Sequence, residues 1–492
     1  MKRWKQLLIV SCVLSVGCGP ATPELGLLEE AAEAMGSLRA VSETTGMILE
    51  GSGRTYRLGQ NQTPRADLPY YEIENYRLAI DFANQRWQLR QDRTTTFFTG
   101  NPLFGVRQTF GFDGDVAYDE GDDDGFVQAS DRVASQRRAE LYHNPLGIVL
   151  LGLDETSTAS NLRDEGGDHV VDIAAADGSQ FTLYVDADSL HPSRVVSARY
   201  HPMLGDVTYE TIFEDYAESG GFGGFQARLT LPRQYTVNLD GNTIAEYRVT
   251  SDTQTAVGDL SVSAAPAPAD EVVVESEEIA NGVWHLTGGS HHSALVEFDD
   301  FLALIEAPQS EARTLAVIEH ARGLVPDTPL QYVVNTHHHF DHSMGIRAAV
   351  SEGLTVITHE INAPFFEDIV ARQHTIEQDA LAGNPQPLNI ETVEGDDVYE
   401  LSSGRRTLEI SRIVGDRHSD GIVMAYLRPA RERILFEVDS FSPGAAAAPF
   451  AAALLENIEE KNLRINTIVP LHGPGTATLD DLEEAVEQEG RR

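Results

Sequence analysis

Cysteine is almost missing from this chain: there are two, Cys12 and Cys18, both within the first 18 of 492 residues. The body beyond them can form no internal disulfide and no thiolate metal site, so histidine, aspartate or glutamate must hold any metal ion. Lysine is nearly missing as well. Lys461 is the only one after the first five residues, which leaves arginine to supply the positive charge. Acids dominate, with 77 Asp and Glu against 36 Lys and Arg and a net charge of −41. Such a polyanion is repelled by nucleic acid and by anionic membrane faces, which excludes non-specific binding to either. No stretch reaches the ~20 apolar residues that a membrane-spanning helix needs. Hydrophobic content of 41% and charge of 23% are globular values and exclude extensive disorder. The length predicts about two to four domains.

What is present begins with an address. Lys2, Arg3 and Lys5 precede a short apolar run at 7–16, the pattern of a secretory signal over residues 1–17. Leu14-Ser15-Val16-Gly17-Cys18 resembles a bacterial lipobox. That resemblance implies a lipidated Cys18, contact with membrane through the anchor only, and a place in the cell envelope as an outer-membrane lipoprotein facing the periplasm. A plain signal peptide would instead give a secreted protein.

Residues 23–41 carry apolar side chains at helical spacing and predict a helix. From 44 to 251 the pattern changes to short alternating runs, such as 76–82, 181–185 and 194–200, separated by Gly, Asp and Asn. That predicts an antiparallel sheet or open barrel with one helical interruption near 131–142. The stretches DGSQFTLYVDADSLHPSRV and FEDYAESGGFGGFQARLTLPRQY resemble later strands of LolA-like lipoprotein-sorting domains. The likeness covers residues 24–255 and implies an apolar concavity for an acyl chain or peptide. His143, His169, His191 and His201, scattered through this half, read as surface or structural. An Ala/Pro-rich acidic linker at 256–275 marks a boundary.

Twelve of the sixteen histidines lie beyond it, from His285 to His472. Here strands expected at 283–287, 294–298, 301–305, 330–334, 354–358, 408–413, 422–427, 434–438 and 467–469 alternate with helices at 310–324, 343–352, 361–372, 450–461 and 479–488. Mixed strands with interspersed helices point to a layered α/β domain over 276–492.

Directly after the strand at 330–334 comes His337-His338-His339-Phe340-Asp341-His342. Residues two apart in extended chain point the same way, so His337 and His339 can share one metal while Asp341 and His342 reach a second. Imidazole and carboxylate suit borderline divalent cations such as zinc. His418 in a loop before the strand at 422–427, Asp439 at the end of the one at 434–438, and His472 after 467–471 supply further ligands at strand ends, where a rigid sheet can position them.

These motifs in this order resemble the metallo-β-lactamase superfamily, with NTHHHFDHSMG as its signature and a likeness covering about 278–490. The resemblance implies an αββα sandwich and a small-molecule hydrolase. It also implies two zinc ions, manganese or iron being the alternatives. His337, His339 and His418 would hold the first ion and Asp341, His342 and His472 the second, with Asp439 bridging. Two neighbouring cations repel, which favours a bridging carboxylate and a bridging hydroxide, and zinc-bound water ionises near pH of roughly 7. The bond attacked would be an ester, lactone, thioester, amide or phosphodiester. Asp341 would also orient the nucleophile or relay its proton, a catalytic role.

Where the family often has Ile-Asp-Thr-Gly, this chain has Ile305-Glu306-Ala307-Pro308, which affects only local geometry. A bridging aspartate at 439 points toward glyoxalase II, lactonases and phosphodiesterases and away from a β-lactamase, the alternative within enzymes. The alternative outside enzymes is a lipid- or peptide-binding envelope lipoprotein with a vestigial metal domain. His291, His292 and His359 are candidates for substrate contact; His285, His320 and His374 read as ordinary surface or packing residues.

Overall fold

The computed structural model describes residues 22–97, 105–121, 125–219, 228–254, 257–267, 271–428 and 433–491. The signal segment 1–17, Cys18 and part of the linker, 256 and 268–270, lie outside the described residues.

The N-terminal half is one very wide, almost wholly antiparallel sheet. Its fourteen strands run from the edge pair Ala264–Ala265 and Phe126–Gln128 through Gly46–Tyr56 and Asn242–Gln254 at the centre to Thr158–Glu165 at the far edge. The two edges do not meet, and among the described residues there is no closed barrel. Helices Pro23–Ala34 and Pro145–Leu153 bury Leu27, Leu28, Leu146 and Ile148 against Ile173, Leu183 and their neighbours. Full burial of each such side chain stabilises the fold by about 1.5–3 kcal/mol.

The single helix expected over 23–41 is two, Pro23–Ala34 and Leu38–Glu43. Gly36, at φ +141°, turns the chain, and the Ser37 hydroxyl accepts from Ala40 N to start the second helix. The helical interruption is likewise two helices, Asp131–Glu140 and Pro145–Leu153. The second is apolar on every side, so it shows no helical period to read.

The C-terminal half is four layers, helix–sheet–sheet–helix. Seven strands from Glu275–Ala280 to Asn389–Val393 form one sheet, and five from Val398–Ser403 to Thr467–Pro470 form the other. Val296, Ile305 and Val334 from the first sheet meet Leu408, Met424 and Phe436 from the second in a shared core. Helices Glu311–Leu324 and Ala363–Ala371 cover one outer face, and Ala451–Glu460 with Leu479–Glu489 the other. Leu302–Ile305, Leu330–Val334 and Thr355–His359 are mutually parallel, as are Ile434–Glu437 and Thr467–Pro470. Their C-terminal ends open at one edge, where loops from both sheets converge.

The two halves are packed together. Met203, Leu204 and Val207 form a common apolar cluster with Ile369, and Phe340, Met344 and Phe365 lie against it. Arg372 pairs with Asp240 at 2.6 Å, and Asp206 N donates to Gln373 O at 2.8 Å.

Candidate metal centre

Val334 ends its parallel strand, and the next nine residues fold into a tight loop and the short helix Phe340–Ser343. The Ser343 hydroxyl ties the loop down by donating to His338 O and His339 O, and Asn335 Nδ2 donates to His342 O at 2.9 Å. His337, His339 and His342 are all but fully buried. His339 Nδ1 lies 2.9 Å from His418 Nε2.

Asp439 stands between the loops. Its Oδ2 is 2.9 Å from His342 Nε2, 3.0 Å from His418 Nε2 and 3.5 Å from His337 Nε2, while Oδ1 is 2.5 Å from His472 Nδ1. It takes a left-handed φ of +56°, a conformation that Asp tolerates better than most residues and that recurs at functional sites. Ligand atoms of His337, His339, His418 and Asp439 all lie within 4.8 Å of one another, and so do those of His291, His342 and His472.

The donor chemistry fits a cation. Nε2 of His337 and of His291 are buried with no hydrogen-bond partner, a costly arrangement unless something else binds them. Burial, reinforced by neighbouring imidazoles, holds His337 and His339 well below the ordinary histidine range, which favours the neutral, ligating form. His342 goes the other way: burial disfavours its charge, but Asp439 and Glu306 outweigh that and raise it.

Residues 286–421 match the family model described as the Metallo-beta-lactamase superfamily. The C-terminal region is a metallo-β-lactamase superfamily domain. His337, His339, Asp341, His342 and His418 fall inside the matched stretch; Asp439 and His472 follow it. No curated protein matches the chain significantly. A metallo-beta-lactamase from Pontibacter korlensis is 19% identical over 45% of this chain and 100% of its own, with a TM-score of 0.36. One from Hirschia baltica is 18% identical over 44% of this chain and 96% of its own, at 0.34. FIM-1 from Pseudomonas aeruginosa, in its mono-zinc form, is 18% identical over 45% and 96%, at 0.34.

Within the metallo-β-lactamase domain, the residues singled out from sequence do not all arrive at the same place. Asp341 lies beside both groups rather than in either: Oδ1 accepts from Gln60 Nε2 at 2.7 Å and Oδ2 is 3.6 Å from His291 Nε2. His291 joins the second group, its ring stacked 3.9 Å from that of His472. His292 turns away and bonds Gly473 O through Nε2 at 2.9 Å. His359 does not join them, because Gly395 O and Ile361 N occupy its two ring nitrogens. His374, read as ordinary packing, is buried at the interface between the halves, 3.2 Å from Tyr200 Oη.

Other residues at the centre escaped sequence reading. Glu306 is fully buried, accepting from Thr336 N and from His342 Nδ1, each at 2.8 Å. It thereby fixes which imidazole nitrogen of His342 faces inward. Asp416 accepts from His418 N and Ser440 Oγ, both at 2.7 Å, and so sets the loop that presents His418. Asn61 belongs to the N-terminal half, yet its backbone carbonyl accepts from His339 Nε2 at 3.0 Å. An acid directly after a buried strand was a readable signal for Glu306. A backbone carbonyl offers none.

Proposed function

We propose that the protein is a metal-dependent hydrolase with two zinc positions, cleaving an ester, lactone, thioester, amide or phosphodiester. One observation carries the reading: two groups of ligand atoms, those within each lying within 4.8 Å of one another, are joined by Asp439, a member of the first whose oxygens also reach His342 at 2.9 Å and His472 at 2.5 Å in the second. In this reading His337, His339 and His418 hold the first ion. Asp341, His342 and His472 hold the second, and Asp439 is shared. When bound, such cations supply ionised water near neutral pH and polarise a carbonyl or phosphoryl oxygen.

The chain's own residues do the rest. Glu306 and the Asn61 carbonyl hold the His342 and His339 tautomers, Asp416 holds the loop of His418, and Asp341 faces the cleft where it can accept and pass on a proton. Metal analysis and turnover of an ester, lactone, thioester, amide and phosphodiester panel test this. About two metal ions per chain and loss of all turnover on chelation are expected; full activity in metal-free protein would sink the reading. A β-lactamase is the weaker reading because of the acid at 439, and nitrocefin turnover decides it.

A binding role for the N-terminal half is favoured by an apolar cavity of about 420 Å³ lined by Tyr76, Trp87, Phe110, Tyr235 and Tyr247. An acyl chain or peptide suits it, as the LolA-like pattern of 24–255 implies; a tryptophan emission that a fatty acid leaves unaltered, or alters equally in Trp87→Phe, would remove this role. The signal pattern of residues 1–18 supports an envelope location with Cys18 lipidated. Cys18→Ala should then move the protein from the membrane to the soluble fraction.

A further inference from the structure

The loop 57–69, between strands Gly46–Tyr56 and Tyr70–Asp81, is clamped onto the metallo-β-lactamase domain. Phe340 N donates to Gly59 O at 3.2 Å, Asp420 N to Gln62 O at 2.9 Å, and Gln62 Nε2 to Asp420 Oδ1 at 3.2 Å. Gly59 has φ +73°, and a Cβ there would strike the Phe340 ring. The loop is therefore one wall of a cleft of about 770 Å³ whose floor includes His339, Asp341, His418, Asp439 and His472.

Two arginines line that cleft, Arg57 from this wall and Arg417 from the other domain. Neither has a carboxylate within 4.0 Å among the described residues, although acids outnumber bases by 77 to 36 along the chain. Asp67 also lines the cleft but pairs with neither. Arg57 lies over the Phe97 ring at 5.6 Å, and Leu68, Tyr70 and Phe450 extend the apolar surface beside it. At a net charge of −41 the protein's long-range field repels anions, so an unpaired guanidinium beside the site acts as a local reversal of sign.

We propose that the substrate carries an oxyanion, a carboxylate or a phosphate-like group, remote from the bond that is cut and attached to an apolar body. Arg57 binds the oxyanion with Arg417, and Phe97 and Tyr70 receive the apolar part. The N-terminal half is then the specificity-determining part of the active site. This rests on the hydrolase reading for its turnover assay but not for its binding assay.

The test compares p-nitrophenyl butyrate, mono-p-nitrophenyl succinate and p-nitrophenyl 3-phosphonopropionate in the holoprotein. Arg57→Gln should lower kcat/KM for the two anionic esters relative to the neutral one by roughly 10- to 100-fold, with KM carrying the loss. The anionic advantage should also shrink as salt rises. Arg65→Gln removes the same charge from the same loop outside the cleft and should keep the ratio. An unchanged ratio in both Arg57→Gln and Arg417→Gln, or an equal fall in Arg65→Gln, overturns the proposal. Whichever anionic ester is preferred names the oxyanion. Calorimetric binding of benzoate and phenylphosphonate, weakened in Arg57→Gln, reads the site without turnover. If no ester is cleaved but that weakening is seen, the hydrolase reading fails and the anion site stands; if neither anion's binding weakens, the anion site fails.

Discussion

Gln60 Nε2 donates a 2.7 Å hydrogen bond to Asp341 Oδ1, joining residues 281 positions apart in sequence. This bond makes the N-terminal half part of the metal centre's outer support, since it occupies one of the two oxygens of a candidate ligand. On the proposed two-metal reading, Gln60→Leu should weaken retention of the ion held by Asp341 by about 10-fold or more, the usual scale for a group that supports a ligand. Competition with a chelator of known affinity measures it. Equal metal affinity in Gln60→Leu and the unaltered protein would remove Gln60 from the centre.

Glu306 makes a stronger case because it is fully buried and holds both Thr336 N and His342 Nδ1. Glu306→Gln keeps the shape but replaces an acceptor with a donor opposite His342, so metal affinity should fall about 10- to 100-fold. Glu306→Ala leaves a buried amide and an imidazole unsatisfied and should also cost about 2–4 kcal/mol of stability. Urea unfolding in the presence of chelator separates the second effect from the first.

His201 predicts a pH dependence at the interface between the halves. Burial, and then the nearby Arg372, push it down to about 4, and its Nδ1 accepts from Met203 N at 3.1 Å and Leu204 N at 3.2 Å. An unfolded histidine titrates near 6.5, so between there and pH 4 the unfolded chain binds more protons. Stability should therefore fall as pH drops from about 6.5 to 4, by about 2 kcal/mol for this group, and be flat with respect to it above that window. His201→Gln should reduce the slope of the urea midpoint within the window and leave it unchanged above.

Gly59 tests whether the wall is rigid. Gly59→Ala meets both an unfavourable φ of +73° and the Phe340 ring, whereas Gly166, at φ +63°, has open space around its missing Cβ. Gly166→Ala should cost about 1 kcal/mol, the backbone penalty alone. Gly59→Ala should cost more, about 2–3 kcal/mol, and should speed hydrogen exchange across 57–69. Equal costs at the two glycines would mean that the loop gives way freely.

Much of the metallo-β-lactamase domain was legible because its signals are local. The strand at 330–334 has the bounds expected of it, and His337, His339, His418, Asp439 and His472 follow strands whose apolar runs are plain in sequence. The rest depends on what meets what in space. His291 and His292 are adjacent and chemically identical; only the bridge that pairs His291 with His472 decides which one faces inward. Glu306 looked like a local turn because its partner, His342, is 36 residues away. Gln60 and Asn61 sit in an ordinary polar turn, and nothing about a glutamine side chain or an asparagine carbonyl announces a metal site.

The loop 57–69 also has a consequence for how such proteins diversify. If Arg57 sets selectivity, chemistry and selectivity lie on different stretches of the gene that meet at Gln60 and Asn61, which hold Asp341 and His339. Substitutions at positions of that turn such as Arg57 can then redirect substrate preference while Gln60 and Asn61 keep their ligands in place. Exchange of that turn between relatives would transplant preference while leaving the reaction where it was.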